Sequence, residues 1–206
     1  MIKISTEPSE DVLYGESKWW GFPDLPDELD WPTVKADDDG EEFDDPLTFI
    51  CQIKCSDLAP FDPEGLLPHE GMLYFFAALD YFLGDLDAFT SPGMGEWPSE
   101  YFKVLYSPTS EGLNTHTLMY DEDTPACPAP ERIIFSNEDS YTRLLGEPYL
   151  EEVREAFRGY VSLLQIDEND DWDLRFFDSG MLNFIIKPAD LAARRFDKVR
   201  AWLFSA

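Results

Sequence analysis

Apolar residues fall along the chain in short runs of strand length, separated by polar and proline-rich stretches. Leu47–Lys54 and Met72–Phe76 are almost unbroken apolar runs, which predicts strands buried on both faces. Tyr101–Tyr106 and Arg132–Phe135 are weaker strand patterns, and Tyr160–Ile166, Met181–Ile186 and Ala201–Phe204 complete the set. Helical spacing occurs in Tyr149–Arg158, where Val153 and Phe157 stand four apart among Glu and Arg. A second short helix is expected at Ala189–Arg195 behind Pro188, a residue tolerated in a first helical turn. Prolines recur through the front two-thirds and keep it poor in helix. The pattern predicts an α+β, β-rich single body over residues 1–206 with a few short helices.

Four pieces of that pattern recur in the same order. Gly21-Phe22-Pro23 returns as Gly146-Glu147-Pro148, and Phe49-Ile50-Cys51-Gln52-Ile53 as Ser162-Leu163-Leu164-Gln165-Ile166. Gly71-Met72-Leu73-Tyr74-Phe75-Phe76 returns as Gly180-Met181-Leu182-Asn183-Phe184-Ile185, and Val104-Leu105-Tyr106 as Trp202-Leu203-Phe204. Ordered recurrence predicts two degenerate, pseudo-symmetric sheet repeats, approximately 19–135 and 141–206. Gln52 should then superpose on Gln165, and Gly71 on Gly180.

The same residues resemble a known family. Gly21-Phe-Pro-Asp-Leu-Pro-Asp-Glu-Leu-Asp-Trp-Pro32, Pro46-Leu-Thr-Phe-Ile-Cys-Gln-Ile53 and Leu67-Pro-His-Glu-Gly-Met-Leu-Tyr-Phe-Phe76 are similar to segments of the YwqG-like family of uncharacterised bacterial proteins. Leu163-Leu-Gln-Ile-Asp167, Asp178-Ser-Gly180 and Asp190-Leu-Ala-Ala-Arg-Arg-Phe196 look like its closing motifs. Trp20 stands where that family usually has a second glycine, and Phe176-Phe177 where it has a Trp-Gly pair. The resemblance implies a cytosolic α+β fold of duplicated sheets and brings no catalytic residues with it.

Charge narrows the partners. Against 43 Asp+Glu the chain has 15 Lys+Arg, a formal charge of -28 and a pI near 4.1, with most of the excess in the first half. Phosphate contact needs clustered cations, so nucleic acid is excluded as a partner. At 44% hydrophobic and 15% aromatic the chain is not disordered. No run approaches the ~20 apolar residues of a membrane span, and Met1–Glu10 lacks a signal-peptide core. With Cys51, Cys55 and Cys127 an odd set, reduced structural thiols and a cytoplasmic location are expected.

Candidate chemistry is sparse. Gly93-Met94-Gly95 lacks the third glycine of a dinucleotide fingerprint, and neither a phosphate-binding Gly-Lys-Ser/Thr nor a Gly-x-Ser-x-Gly elbow exists. His69, in Leu67-Pro68-His69-Glu70-Gly71, reads as a turn histidine. Asp167, Asn169, Asp171 and Asp178 have a calcium-loop spacing, but Trp172 stands where the turn glycine belongs and Asp178 where a bidentate Glu belongs. The segment is read as an acidic loop between two core strands, with no metal and no cofactor assigned.

Three groups remain as candidates. Gln52 and Gln165, polar within apolar runs, must satisfy their amides, either as a structural pair or as the lining of a cleft. Asp37, Asp38, Asp39, Glu41 and Glu42 lead the densest acid run, Asp37–Asp45, which reads as a solvated, mobile loop. Adjacent residues in a strand face opposite ways, so one of Trp19 and Trp20 should face outward unless covered and offer an aromatic contact. Together these favour a non-enzymatic binding protein whose acidic surface meets a basic protein, for instance an immunity protein neutralising a cationic toxin. The alternative is a small-molecule-binding or enzymatic module with a cleft between the repeats.

Overall fold

The computed structural model describes residues 1–205. The strands are β1 (Ile2–Pro8), β2 (Lys18–Trp19), β3 (Asp24–Pro26), β4 (Thr33–Asp38), β5 (Glu41–Pro46), β6 (Thr48–Lys54), β7 (Met72–Ala77) and β8 (Gly95–Trp97). They continue with β9 (Phe102–Ser107), β10 (Leu113–Thr115), β11 (Glu131–Ser136), β12 (Arg143–Leu144), β13 (Val161–Asp167), β14 (Gly180–Ile186) and β15 (Arg200–Ser205). Two short helices, α1 (Glu151–Ala156) and α2 (Pro188–Ala192), fall where the helical spacing and the first-turn proline place them.

Eleven strands form one antiparallel sheet in the order β8-β15-β14-β13-β12-β1-β11-β2-β6-β7-β9. The sheet curls until distant strands touch: Phe75 on β7 meets Phe184 on β14 at 5.5 Å between ring centroids, with six strands between them in the order. Buried alternation explains the curl. On β7, Leu73, Phe75 and Ala77 join an inner core with Leu182, Phe184 and Leu203, while Met72, Tyr74 and Phe76 enter an outer core beneath β3 and β10. A second outer core, with Val153, Phe157 and Ile185, lies under α1.

The apolar runs therefore become the fully covered strands. The short strands β3, β8, β10 and β12 are not among the expected elements, and two further departures are larger. β1 occupies the centre of the sheet, between β11 and β12, yet only Ile2 and Ile4 are buried along it, an alternation too short to stand out. The Asp37–Asp45 run is not a loop. It lies in a β4–β5 hairpin whose two-residue turn, Asp39-Gly40, has both φ values positive, 53° and 91°. Val34 and Ala36 fasten that hairpin to the body.

Gly71, just before β7, and Gly180, the first residue of β14, stand where backbone crosses at contact distance. A Cβ on Gly71 would lie 2.0 Å from the Ser107 carbonyl oxygen, and one on Gly180 would lie 2.3 Å from that of Phe176.

Candidate functional site

Trp19 and Trp20 are 0% and 1% exposed, so neither faces outward as expected. β2 is only two residues long, and Trp20 leaves it at a φ of 58°, which turns both indoles to the inner core. Trp172 covers them, stacking on Trp19 at 5.0 Å and meeting Trp20 edge-on at 5.7 Å. Trp19 and Trp20 hold the fold and offer a partner no surface. The residue that breaks the calcium template is thus a packing residue. In the same loop Glu168 accepts from the amides of Phe176 (2.8 Å) and Gly180 (3.1 Å), which ties the turn to β14.

The two glutamines are buried and make matching bonds. The Gln52 carbonyl accepts from the Asp24 amide at 2.8 Å, and its NH2 donates to the Glu16 carbonyl at 3.0 Å. The Gln165 carbonyl accepts from the Tyr149 amide at 2.8 Å, and its NH2 donates to the Tyr141 carbonyl at 2.6 Å. Gln52 also donates to the Asp24 carboxylate at 2.8 Å. Gln52 ties β6 to the start of β3 and to Glu16 ahead of β2, and Gln165 ties β13 to the segments that flank β12.

The acidic hairpin is arranged against itself. Register places Asp37 opposite Glu42 and Asp38 opposite Glu41, two like-charge cross-strand pairs that disfavour the hairpin. Only Lys35 with Asp44, at 2.8 Å, relieves it on the ladder. Asp37, Asp38, Asp39, Glu41 and Glu42 are all exposed. The hairpin leans on the 80–90 segment through an edge-on contact of Phe43 with Phe89, 4.9 Å, and a bond from the Thr90 hydroxyl to Asp45, 3.3 Å.

That contact leads to residues the sequence did not single out. Asp45 and Asp80 line a pocket of about 50 Å³. Asp80 and Asp85 line a neighbouring recess of about 280 Å³, and Tyr120 borders both. None of the three aspartates is in an ion pair among the described residues. Burial raises the Asp45 carboxyl above its ordinary range, and the charges of Asp80 and Asp85 add to this against the Thr90 bond. Burial likewise raises Asp80, with Asp85 adding and the 2.6 Å bond from Thr48 opposing. Tyr120 is 67% exposed and Phe89 56%. The half-buried carboxylates of Asp45 and Asp80, without a counter-ion and beside an exposed aromatic ring, have the chemistry to accept a cation. The signal in sequence was weak, because Asp45, Asp80 and Asp85 are three among 43 acids brought together only by the chain path.

Other candidates are inert. Cys51, Cys55 and Cys127 are free and buried, and burial pushes the thiols of Cys55 and Cys127 up to about 12, beyond nucleophilic use. His69 sits 3.3 Å from Asp62, a carboxylate already accepting from the Leu67 amide in the same turn.

A family model described as a domain of unknown function (DUF1963) matches residues 17–156, and matches again over 129–203. Comparison with curated proteins finds no match.

Proposed function

The chain belongs to the DUF1963 family, whose function is unknown, and from that premise we propose that it is a non-enzymatic binding protein whose acidic face engages a basic protein partner. Immunity-type neutralisation of a cationic toxin is the concrete form of this reading. The uncompensated Asp45–Asp80–Asp85 group carries it. Folding leaves Asp45 and Asp80 half-buried, with Asp85 exposed beside them and no counter-charge, and a lysine or arginine side chain from outside would supply one. Tyr120 and Phe89 replace Trp19 and Trp20 as the aromatic anchors. The hairpin carboxylates act earlier, by steering: their field reaches only about 8 Å at physiological salt, so they raise the encounter rate.

The test is a capture from the native host at low salt, followed by binding kinetics with the protein recovered. Asp80→Asn with Asp85→Asn should speed dissociation about tenfold or more, because charges buried in an interface act on the lifetime of a complex. Hairpin neutralisation should instead slow association. A basic partner whose two rates ignore both sets of changes contradicts the proposal.

Duplication belongs to the same reading. Four facts support it: the matching bonds of Gln52 and Gln165, bulges at corresponding places in β6 and β13, the positive φ of Trp20-Gly21 and of Leu145-Gly146, and a strand order that runs outward alike from β1–β11. Tyr74 faces Leu105 and Asn183 faces Trp202, so the last strands correspond one residue later than their sequences suggest. Gln52→Leu and Gln165→Leu should each cost about 2 kcal/mol by leaving two backbone groups unpaired. Loss at one site alone counts against duplication. The YwqG-like resemblance and a cytoplasmic location complete the proposal, and the three unbridged thiols agree with a reducing compartment.

A further inference from the structure

Across the 125–128 segment from the acidic recess, a cavity of about 500 Å³ opens between residues 11–24 and the 115–130 segment. Its walls are mostly apolar, with Leu13, Phe22, Cys127, Pro128 and Pro130 among them. Lys18 and Asp24 also line it, as an ion pair at 2.8 Å whose side chains are 6% and 1% exposed. Asp24 is saturated. Its Oδ2 accepts from the Gly15 amide, the Lys18 ammonium and the Gln52 amide, and its Oδ1 from the Thr115 hydroxyl. Burial works against its charge, but the donors and the Lys18 charge together hold its carboxyl below the ordinary range. Lys18 is not saturated. Its ammonium has three N–H donors, and among the described residues Asp24 is its one acceptor.

At the other junction Gln165 makes the same two backbone bonds without a neighbouring carboxylate: Tyr149 stands where Asp24 stands beside Gln52, and Arg143 stands where Lys18 stands. A buried ion pair is in general no more stabilising than an apolar packing of the same volume. Here it fixes an ammonium with spare donors at the wall of an apolar cavity, which is the build of a small-molecule site.

Charge selects the ligand. The pair is neutral overall, so a ligand carboxylate would leave a net negative charge buried beside Asp24, and a ligand amine would meet Lys18. The Cys127 thiol, pushed up to about 12 by burial, stays protonated and forms no adduct. The geometry points to a binding site for a neutral, mainly apolar small molecule that offers one carbonyl or amide oxygen to the Lys18 ammonium. The site lies within the first flank of the sheet rather than in a cleft between the flanks, and Pro125, Cys127 and Pro128 form a wall that it shares with the acidic recess.

The probe is 6-propionyl-2-(dimethylamino)naphthalene, a neutral ketone whose emission moves to the blue on leaving water. It should bind the whole chain saturably at one site, with nuclear Overhauser contacts to Leu13 and Phe22. The matching naphthoate, and 2-(dimethylamino)naphthalene without a carbonyl, should each bind about tenfold more weakly or worse. Lys18→Met should weaken the ketone by a similar factor and leave the carbonyl-free probe unchanged. If that variant does not fold, the three-probe series and the contacts on the native chain decide. Absence of saturable binding, equal affinity for all three probes, or contacts at Phe89 and Tyr120 instead would overturn the assignment.

Discussion

Two aspartates, Asp24 fully buried and Asp80 half-buried, behave in opposite ways at the residue scale. Asp24 is lowered because its donors outweigh burial, whereas Asp80 is raised because burial and Asp85 outweigh the bond from Thr48. The stability Asp24 contributes is present above its unfolded value of 3.8 and is lost as pH falls through its depressed folded value. Asp80 has the reverse sign: its ionisation costs the folded state at neutral pH, and that cost disappears as pH falls toward 3.8. Asp80→Asn keeps an oxygen for the Thr48 hydroxyl, so it should raise the melting temperature by roughly 2–4 °C at pH 7, with the gain fading near pH 4. Melting curves at the two pH values check this, and an equal gain at both would contradict the cause given. Asp24→Asn leaves the Lys18 ammonium buried without its counter-ion and should cost roughly 3–5 kcal/mol in denaturant unfolding at pH 7. Neither behaviour was legible in sequence. Asp24 is distinguished from other acids by Lys18, Thr115, Gly15 and Gln52 around it, and Asp80 by its burial with Asp85 beside it.

At the scale of elements, the β4–β5 hairpin gives up stability to like-charge pairs and gains a negative field. Replacing Asp37, Asp38, Asp39, Glu41 and Glu42 by Asn or Gln should therefore stabilise the hairpin, visible as slower amide exchange at Val34 and Ala36. The same variant should associate more slowly with the basic partner and with a flatter salt dependence. Faster exchange together with an unchanged association rate would leave the hairpin no steering role. Its strands were hidden because acids mask the alternation of Val34, Ala36 and Phe43, although Asp39-Gly40 is a hairpin turn signal. The unbroken apolar strands were legible, since fully covered β6 and β7 need no polar face. Gly71→Ala should destabilise by roughly 2–4 kcal/mol, combining a φ of 80° with the close Ser107 carbonyl. A loss below 1 kcal/mol, about the propensity difference alone, would mean that the backbone yields there.

For the whole molecule, a charge of -28 sits on a sheet that curls around an aromatic inner core. Burial of Phe75 against Phe184 closes the curl, and no local pattern announces a contact between strands so far apart in the order. The acidic recess has the same origin, because β5, the 80–85 segment and Tyr120 meet only in the folded chain. The central claim is that this recess receives a cationic side chain. Its most direct test is a carbon-13 NMR titration of the Asp45 and Asp80 carboxyls, with and without the peptide acetyl-Gly-Arg-Gly-amide. The account predicts midpoints above 3.8 in the free protein that fall toward it when the peptide is present. Midpoints of Asp45 and Asp80 that are indifferent to the arginine peptide would contradict it.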